Sequence, residues 1–260
     1  MYSWKTVLVT IGLLFTLKIW NPYFVENISW SWFDYLHSTH SVQEYNPESG
    51  LPEIVLVDID EKSVEQYGQL PFPRKIYADK MLESHWSNTY VFTQVFSEPD
   101  RFGGDEEFAT ALVNRLSILS SAPTIQTDKG SSPFVGTSTL GSGDAKNAVW
   151  GTPGVLSPIP ILEGNTYGVG VTTATPSQSG TPNFDGTIRS APLLMQANGQ
   201  IYPSLAVEVL RAYNDEKSYQ MKVTEEVGVE WVRVGRQKPI STTPQGDLMI
   251  SYWNKFKRYS

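Results

Sequence analysis

The charged residues able to do chemistry in this chain sit in a few short motifs. Asp58 and Asp60 close the run Glu53-Ile54-Val55-Leu56-Val57. Two positions apart on a strand, they point to one face. At the carboxyl end of a parallel strand that face opens on the crevice where α/β sheets hold ligands, so the pair suits a ligand or a cation. A plainer use is available: Asp60 caps the next helix, with Ser63 three residues on, and Asp58 pairs with Arg74. Arg74 follows the rigid turn Pro71-Phe72-Pro73. It either clamps an anionic group or pairs structurally with Asp58, Asp60 or Glu98. Glu98 and Asp100 flank Pro99 after a second apolar run, a position equally suited to a site and to a solvated loop. Asp185 and Arg189 flank a glycine turn, which reads as a further ligand contact or as a hairpin with a cross-strand ion pair.

No catalytic set accompanies these groups. His37, His40 and His85 lack the neighbours of a metal site, so neither a metal nor another cofactor is expected. Gly168-Val169-Gly170 lacks the third glycine and following helix of a dinucleotide fingerprint, and neither a phosphate-cradling loop nor a nucleophile elbow is present. The chain has no cysteine, which removes disulfide and thiolate chemistry. A net charge of -7, unclustered, argues against a nucleic-acid partner. An enzyme is therefore not expected; a hydrolase built on Asp58, Asp60 and Glu98 would lack a nucleophile–base–orienter set.

The elements that must carry these residues follow from the hydrophobic pattern. The β-branched run Glu53–Asp58 predicts a strand buried on both faces. A short helix from Asp60 to Gly68 and a second over Arg74–Trp86 follow. Tyr90–Phe96 predicts a strand, Glu106–Leu116 a helix, and Leu116–Ser120 a third strand. This β-α-β-α-β order implies parallel strands joined by right-handed crossovers. From Thr127 to Thr166 the Gly, Ser, Thr, Pro and Asn content reads as a long irregular excursion. Strands are expected at Tyr167–Thr173 and Ile188–Gln196, with a turn at Asn183–Gly186 between them. Leu205–Tyr213 reads as a helix capped by Ser204, and Val227–Val234 and Leu248–Tyr252 as strands. The expected fold is α/β: a three-layer domain with a mainly parallel mixed sheet, preceded by an N-terminal transmembrane helix.

That helix rests on the window Thr6–Val25, interrupted only by Lys18 and Asn21 and just long enough to span. Lys18 would snorkel, and Trp20, Tyr23 and Phe24 would form an interfacial belt. A cleaved signal peptide is the competing reading, although no small-x-small site follows. Residues 1–25 are thus expected to be a membrane anchor and 26–52 a juxtamembrane connector, with a short amphipathic helix at Ile28–Leu36.

Three ordered motifs carry a family resemblance. They are Val57-Asp58-Ile59-Asp60-Glu61-Lys62-Ser63 with Leu70-Pro71-Phe72-Pro73-Arg74, then Phe96-Ser97-Glu98-Pro99-Asp100, then Phe184-Asp185-Gly186-Thr187-Ile188-Arg189 with Tyr202-Pro203-Ser204-Leu205-Ala206. In this order they resemble the CHASE2 extracellular sensory domain over residues 30–255, with Phe33-Asp34-Tyr35 matching the segment after the first membrane span. Leu70 stands where the family usually has Trp, and Thr93 and Gln94 where an Asp is common.

The resemblance implies an exported sensor, residues 53–260, incomplete at its C-terminus. It also implies an anchor in the inner membrane with the domain periplasmic, and an output module, kinase or cyclase, absent from this chain. Partners implied are the membrane, a small-molecule or protein stimulus and a second copy in a homodimer. A stand-alone exported interaction module is the alternative.

Overall fold

The computed structural model describes residues 3–20, 23–39, 53–84, 87–127, 130–173, 187–252 and 257–259. Two compact units emerge: Met1–Asp58 with Ser251–Tyr259, and Ile59–Ile250.

In the first unit, α1 (Trp4–Trp20) is apolar on every side, and none of its residues is buried. Val9, Leu13, Phe15 and Ile19 are all more than half exposed. The Thr10 and Thr16 hydroxyls donate back to the carbonyls of Thr6 and Gly12, so these two side chains are satisfied within the helix. Its 17 residues rise about 25 Å, short of a hydrocarbon layer. Among the described residues no helix is long and apolar enough to cross a membrane, so the expected spanning helix is not present at that length.

The next helix, α2 (Tyr23–Thr39), is longer than the predicted Ile28–Leu36. Ile28, Trp32, Tyr35 and Leu36 form an exposed apolar stripe on one side, and the Trp32 and Tyr35 rings stack at 5.5 Å. Strand β1 (Val55–Val57) pairs in parallel with Lys257–Tyr259. The prediction of a doubly buried strand heading the main sheet is thereby corrected, since Val57 is 64 % exposed. An apolar run alone does not choose its partner.

The second unit begins with α3 (Glu61–Tyr67), where Asp60 accepts from the Ser63 amide at 3.1 Å and Gly68 ends the helix at φ 90°. There follow α4 (Arg74–Glu83), β2 (Thr89–Val95), α5 (Asp105–Val113) and β3 (Leu116–Thr124). The segment predicted to be irregular holds β4 (Thr137–Leu140), α6 (Ala145–Ala148), β5 (Gly151–Thr152), β6 (Gly154–Leu156) and α7 (Pro160–Glu163). These are too short for a periodic signal. The next strand is β7 (Gly168–Val171).

The predicted strand Ile188–Gln196 is divided into β8 (Ser190–Pro192) and β9 (Leu194–Ala197). Pro192 has no N–H for a continuing ladder, and the Leu193 amide bonds Gly246 instead. Then come β10 (Gln200–Pro203), α8 (Leu205–Tyr213), β11 (Tyr219–Thr224), β12 (Gly228–Val234), β13 (Ile240–Ser241) and β14 (Asp247–Met249). The fold is mixed α/β with several sheets rather than one.

The order β2-β3-β7 is parallel, with β6 antiparallel on the end of β3. Its two faces are covered differently. Leu119 and Val169 face a cluster with Phe108, Leu112 and Leu162 from α5 and α7, where Phe92, Phe96 and Phe108 pack edge-to-face at 5.2–5.8 Å. On the opposite face Gly168 and Gly170 admit α8: a Cβ on Gly170 would lie 2.5 Å from the Leu205 Cα. Helices thus pack on both faces of this sheet. A second sheet, β13-β12-β11-β4, buries Tyr219, Met221, Val223, Val229, Val232 and Val234 over another core.

Candidate functional site

The helix α4 starts directly after Pro73, which supplies no side-chain cap. The cap comes from far along the chain. Asp100 Oδ2 accepts from the amides of Arg74 at 2.8 Å and Gly104 at 3.0 Å, and its Oδ1 accepts from Phe102 at 3.0 Å. Burial alone would raise the Asp100 carboxyl; these three amides, with the Arg74 charge beside them, hold it below its ordinary range. Asp105 in turn accepts from the Asp100 amide at 2.8 Å.

The Arg74 guanidinium donates to the Glu98 carbonyl at 3.0 Å, lies 3.5 Å from Asp105 Oδ1 and sits 4.4 Å over the Phe96 ring. Gly104 is needed for the approach, since a Cβ there would stand 2.6 Å from the Lys75 amide.

Three predicted site residues, Arg74, Glu98 and Asp100, are thus brought together, and Asp105 joins them. Arg74 is 7 % exposed, so the guanidinium is enclosed by its own chain and presents little to an arriving anion. Its carboxylate partner is Asp105, not the expected Asp58, Asp60 or Glu98; the Glu98 side chain points to solvent. The arrangement is a clasp that ties α4 to the loop after β2.

The remaining candidates lie apart. Asp58 is exposed in the first unit and pairs with Arg258 at 3.7 Å. Asp60 caps α3. Arg189 is buried, with its carbonyl accepting from Ile250, whereas Asp185 lies outside the described residues, as do the predicted 183–186 turn, His40 and His85. His37 packs on Phe33 at 4.2 Å. Among the described residues no group of His, Asp and Glu could hold a metal ion.

Two buried polar centres escape sequence reasoning. Beneath β7, Glu208 is fully buried and receives Arg211 at 3.0 and 2.7 Å, as well as the Tyr219 hydroxyl. Arg211 also donates to the carbonyls of Glu216 and Tyr167. Burial first, then the Glu208 charge, pushes the Tyr219 hydroxyl far up, so it remains a donor. The spacing Glu208-x-x-Arg211 is legible; its burial is not.

Asp247 is 1 % exposed, with Ser190 donating to Oδ2 at 3.2 Å and Oδ1 without a partner. Burial raises its carboxyl above the ordinary 3.8, against a smaller lowering by Ser190. Folding therefore favours the protonated form, and stability falls as pH rises from the unfolded value through the folded one. Asp247→Asn is expected to raise the neutral-pH melting temperature by a few degrees, about 1 kcal/mol, with the gain vanishing in acid. Melting curves across the acid-to-neutral range check it; an unchanged difference at both ends contradicts it.

An open cleft of about 530 Å³ lies between β4, the start of α6 and β10, lined by Pro133, Thr137, Thr139, Lys146, Gln200 and Ile201. Its size suits a small molecule. Gly143 packs its loop against β11, with its amide donating to the Val223 carbonyl at 3.0 Å, so this wall is preformed.

A family model described as the CHASE2 domain matches residues 6–260, nearly the whole chain. No curated protein matches the chain, and no solved structure does.

Proposed function

Since the chain belongs to the CHASE2 domain family, a family of sensory domains, we propose that it is the extracytoplasmic sensor of a membrane signalling protein. The observation that carries this reading is the family match, and α1 supports the membrane part of it. A helix apolar all round is stable only within a core or within lipid, and α1 is exposed along its length. Lys5 and Lys18 near its ends can snorkel, and a short apolar helix is accommodated by local thinning of the bilayer. The exposed stripe on α2 adds a second apolar surface, and its Trp32 and Tyr35 suit the headgroup level. A stimulus biases two arrangements of the exported domain in a homodimer, and any catalytic output belongs to another domain.

The test is topology in a bacterial host. The full chain is expected in the carbonate-resistant membrane pellet, and alkaline phosphatase fused after Ser260 is expected to be active. Changing Leu8 and Leu13 together to Asp should move most of the protein to the supernatant, because each mid-helix charge costs about 3 kcal/mol in lipid. A freely soluble cytoplasmic wild type would overturn the proposal.

A further inference from the structure

The cleft beside β4 has chemistry that selects its occupant. Both oxygens of Asp144 are engaged within α6: Oδ1 accepts from the Lys146 amide at 3.0 Å and Oδ2 from the Asn147 side chain at 2.7 Å. Lys146 carries the cation of the lining, and among the described residues its ammonium group enters no ion pair; it lies 3.9 Å from the point a Cβ on Gly199 would occupy. Thr139 adds a hydroxyl, and Gln200, whose amide nitrogen donates to Ser132 at 3.2 Å, keeps its amide oxygen for a ligand hydroxyl. Pro133, Ala145 and Ile201 supply apolar contact for a carbon skeleton. From this convergence of one cation, neutral hydrogen-bonding groups and apolar wall, we infer that the cleft binds a small hydroxylated organic carboxylate, its carboxylate on Lys146.

The two walls belong to different parts of the unit. Lys146 and the threonines stand on α6 and β4, the strand paired with β11. Gln200 and Ile201 begin β10, which leads through the cap Ser204 into α8 on the parallel sheet. Strand β10 pairs with β9, so a ligand touching both walls bridges β4 and β10, and its differential affinity for two arrangements of these strands is the available signal. In this role the inference rests on the sensory reading; the binding itself does not.

The experiment uses the purified full chain in nanodiscs and isothermal titration with gluconate, with sorbitol as the neutral polyol of the same skeleton. Gluconate is expected to bind and sorbitol to bind at least about ten-fold more weakly. Lys146→Ala should weaken gluconate by about ten-fold or more while leaving the melting temperature of the free protein unchanged; Lys146→Arg should keep most of the affinity. Gluconate heats indistinguishable from dilution at millimolar concentration, equal binding of sorbitol, or affinity untouched by Lys146→Ala would each overturn the inference. None of these outcomes bears on membrane topology, so a chain found in the membrane that ignores gluconate would sink this inference alone.

Discussion

Arg211→Ala is expected to destabilise the second unit by about 3–5 kcal/mol, because it leaves a buried carboxylate without its counter-ion. Glu208 is fully buried beneath Gly168, where a Cβ would stand 2.8 Å from its Cδ, so water cannot enter without moving β7. Arg211 provides two of its hydrogen bonds and also holds the Glu216 and Tyr167 carbonyls. Removing the cation therefore orphans one charge and two carbonyls at once. A double change, Glu208→Gln with Arg211→Met, removes both charges and should cost clearly less than the single one, since most of the loss is the unpaired ion. Urea unfolding followed by circular dichroism measures both. A single-variant loss below about 1 kcal/mol would show that solvent reaches Glu208 after all.

Asp100→Ala should cost about 3 kcal/mol, from three amides that lose a charged acceptor. One of those amides is the first of α4, so the loss includes a helix cap. Asp100→Asn is expected to recover part of it, because an amide oxygen still accepts but the charge is gone. The Asp100 carboxyl is held below its ordinary range in the folded state. Its contribution is thus present above the unfolded carboxylate value and disappears as pH falls through the folded one. Wild type and Asp100→Ala should therefore converge in stability in strong acid, and a gap independent of pH would contradict the clasp.

Elements whose signals act over one turn were readable beforehand. Ser204 caps α8 by accepting from the Val207 amide, and the helix runs over Leu205–Tyr213 as its pattern implies. Asp60, Ser63 and Gly68 frame α3 in the same local way. The strands β2 and β3 followed from β-branched and aromatic runs, and their parallel pairing from the helix between them.

Local order alone misplaced β1. Its run of Val and Leu is indistinguishable from a central strand, yet its partner is Lys257–Tyr259, at the far end of the chain. The motif residues were legible as a group but not in their roles. Arg74 and Asp100 stand out by type and by their proline turns, whereas Asp105, which follows the same motif, carries no local sign that it pairs with Arg74.

What the sequence by itself determined is the set of helix starts and stops, the apolar character of α1 and the family, all encoded in residues within a few positions or in ordered motifs. Tertiary structure alone decided which ions are buried, which carboxylate caps which helix, and where a cleft opens. Capping and periodicity are written in neighbouring residues, but the environment of a charge depends on segments brought together from across the chain. Gly168 against Glu208, and Asp100 against α4, acquire their meaning only by that approach.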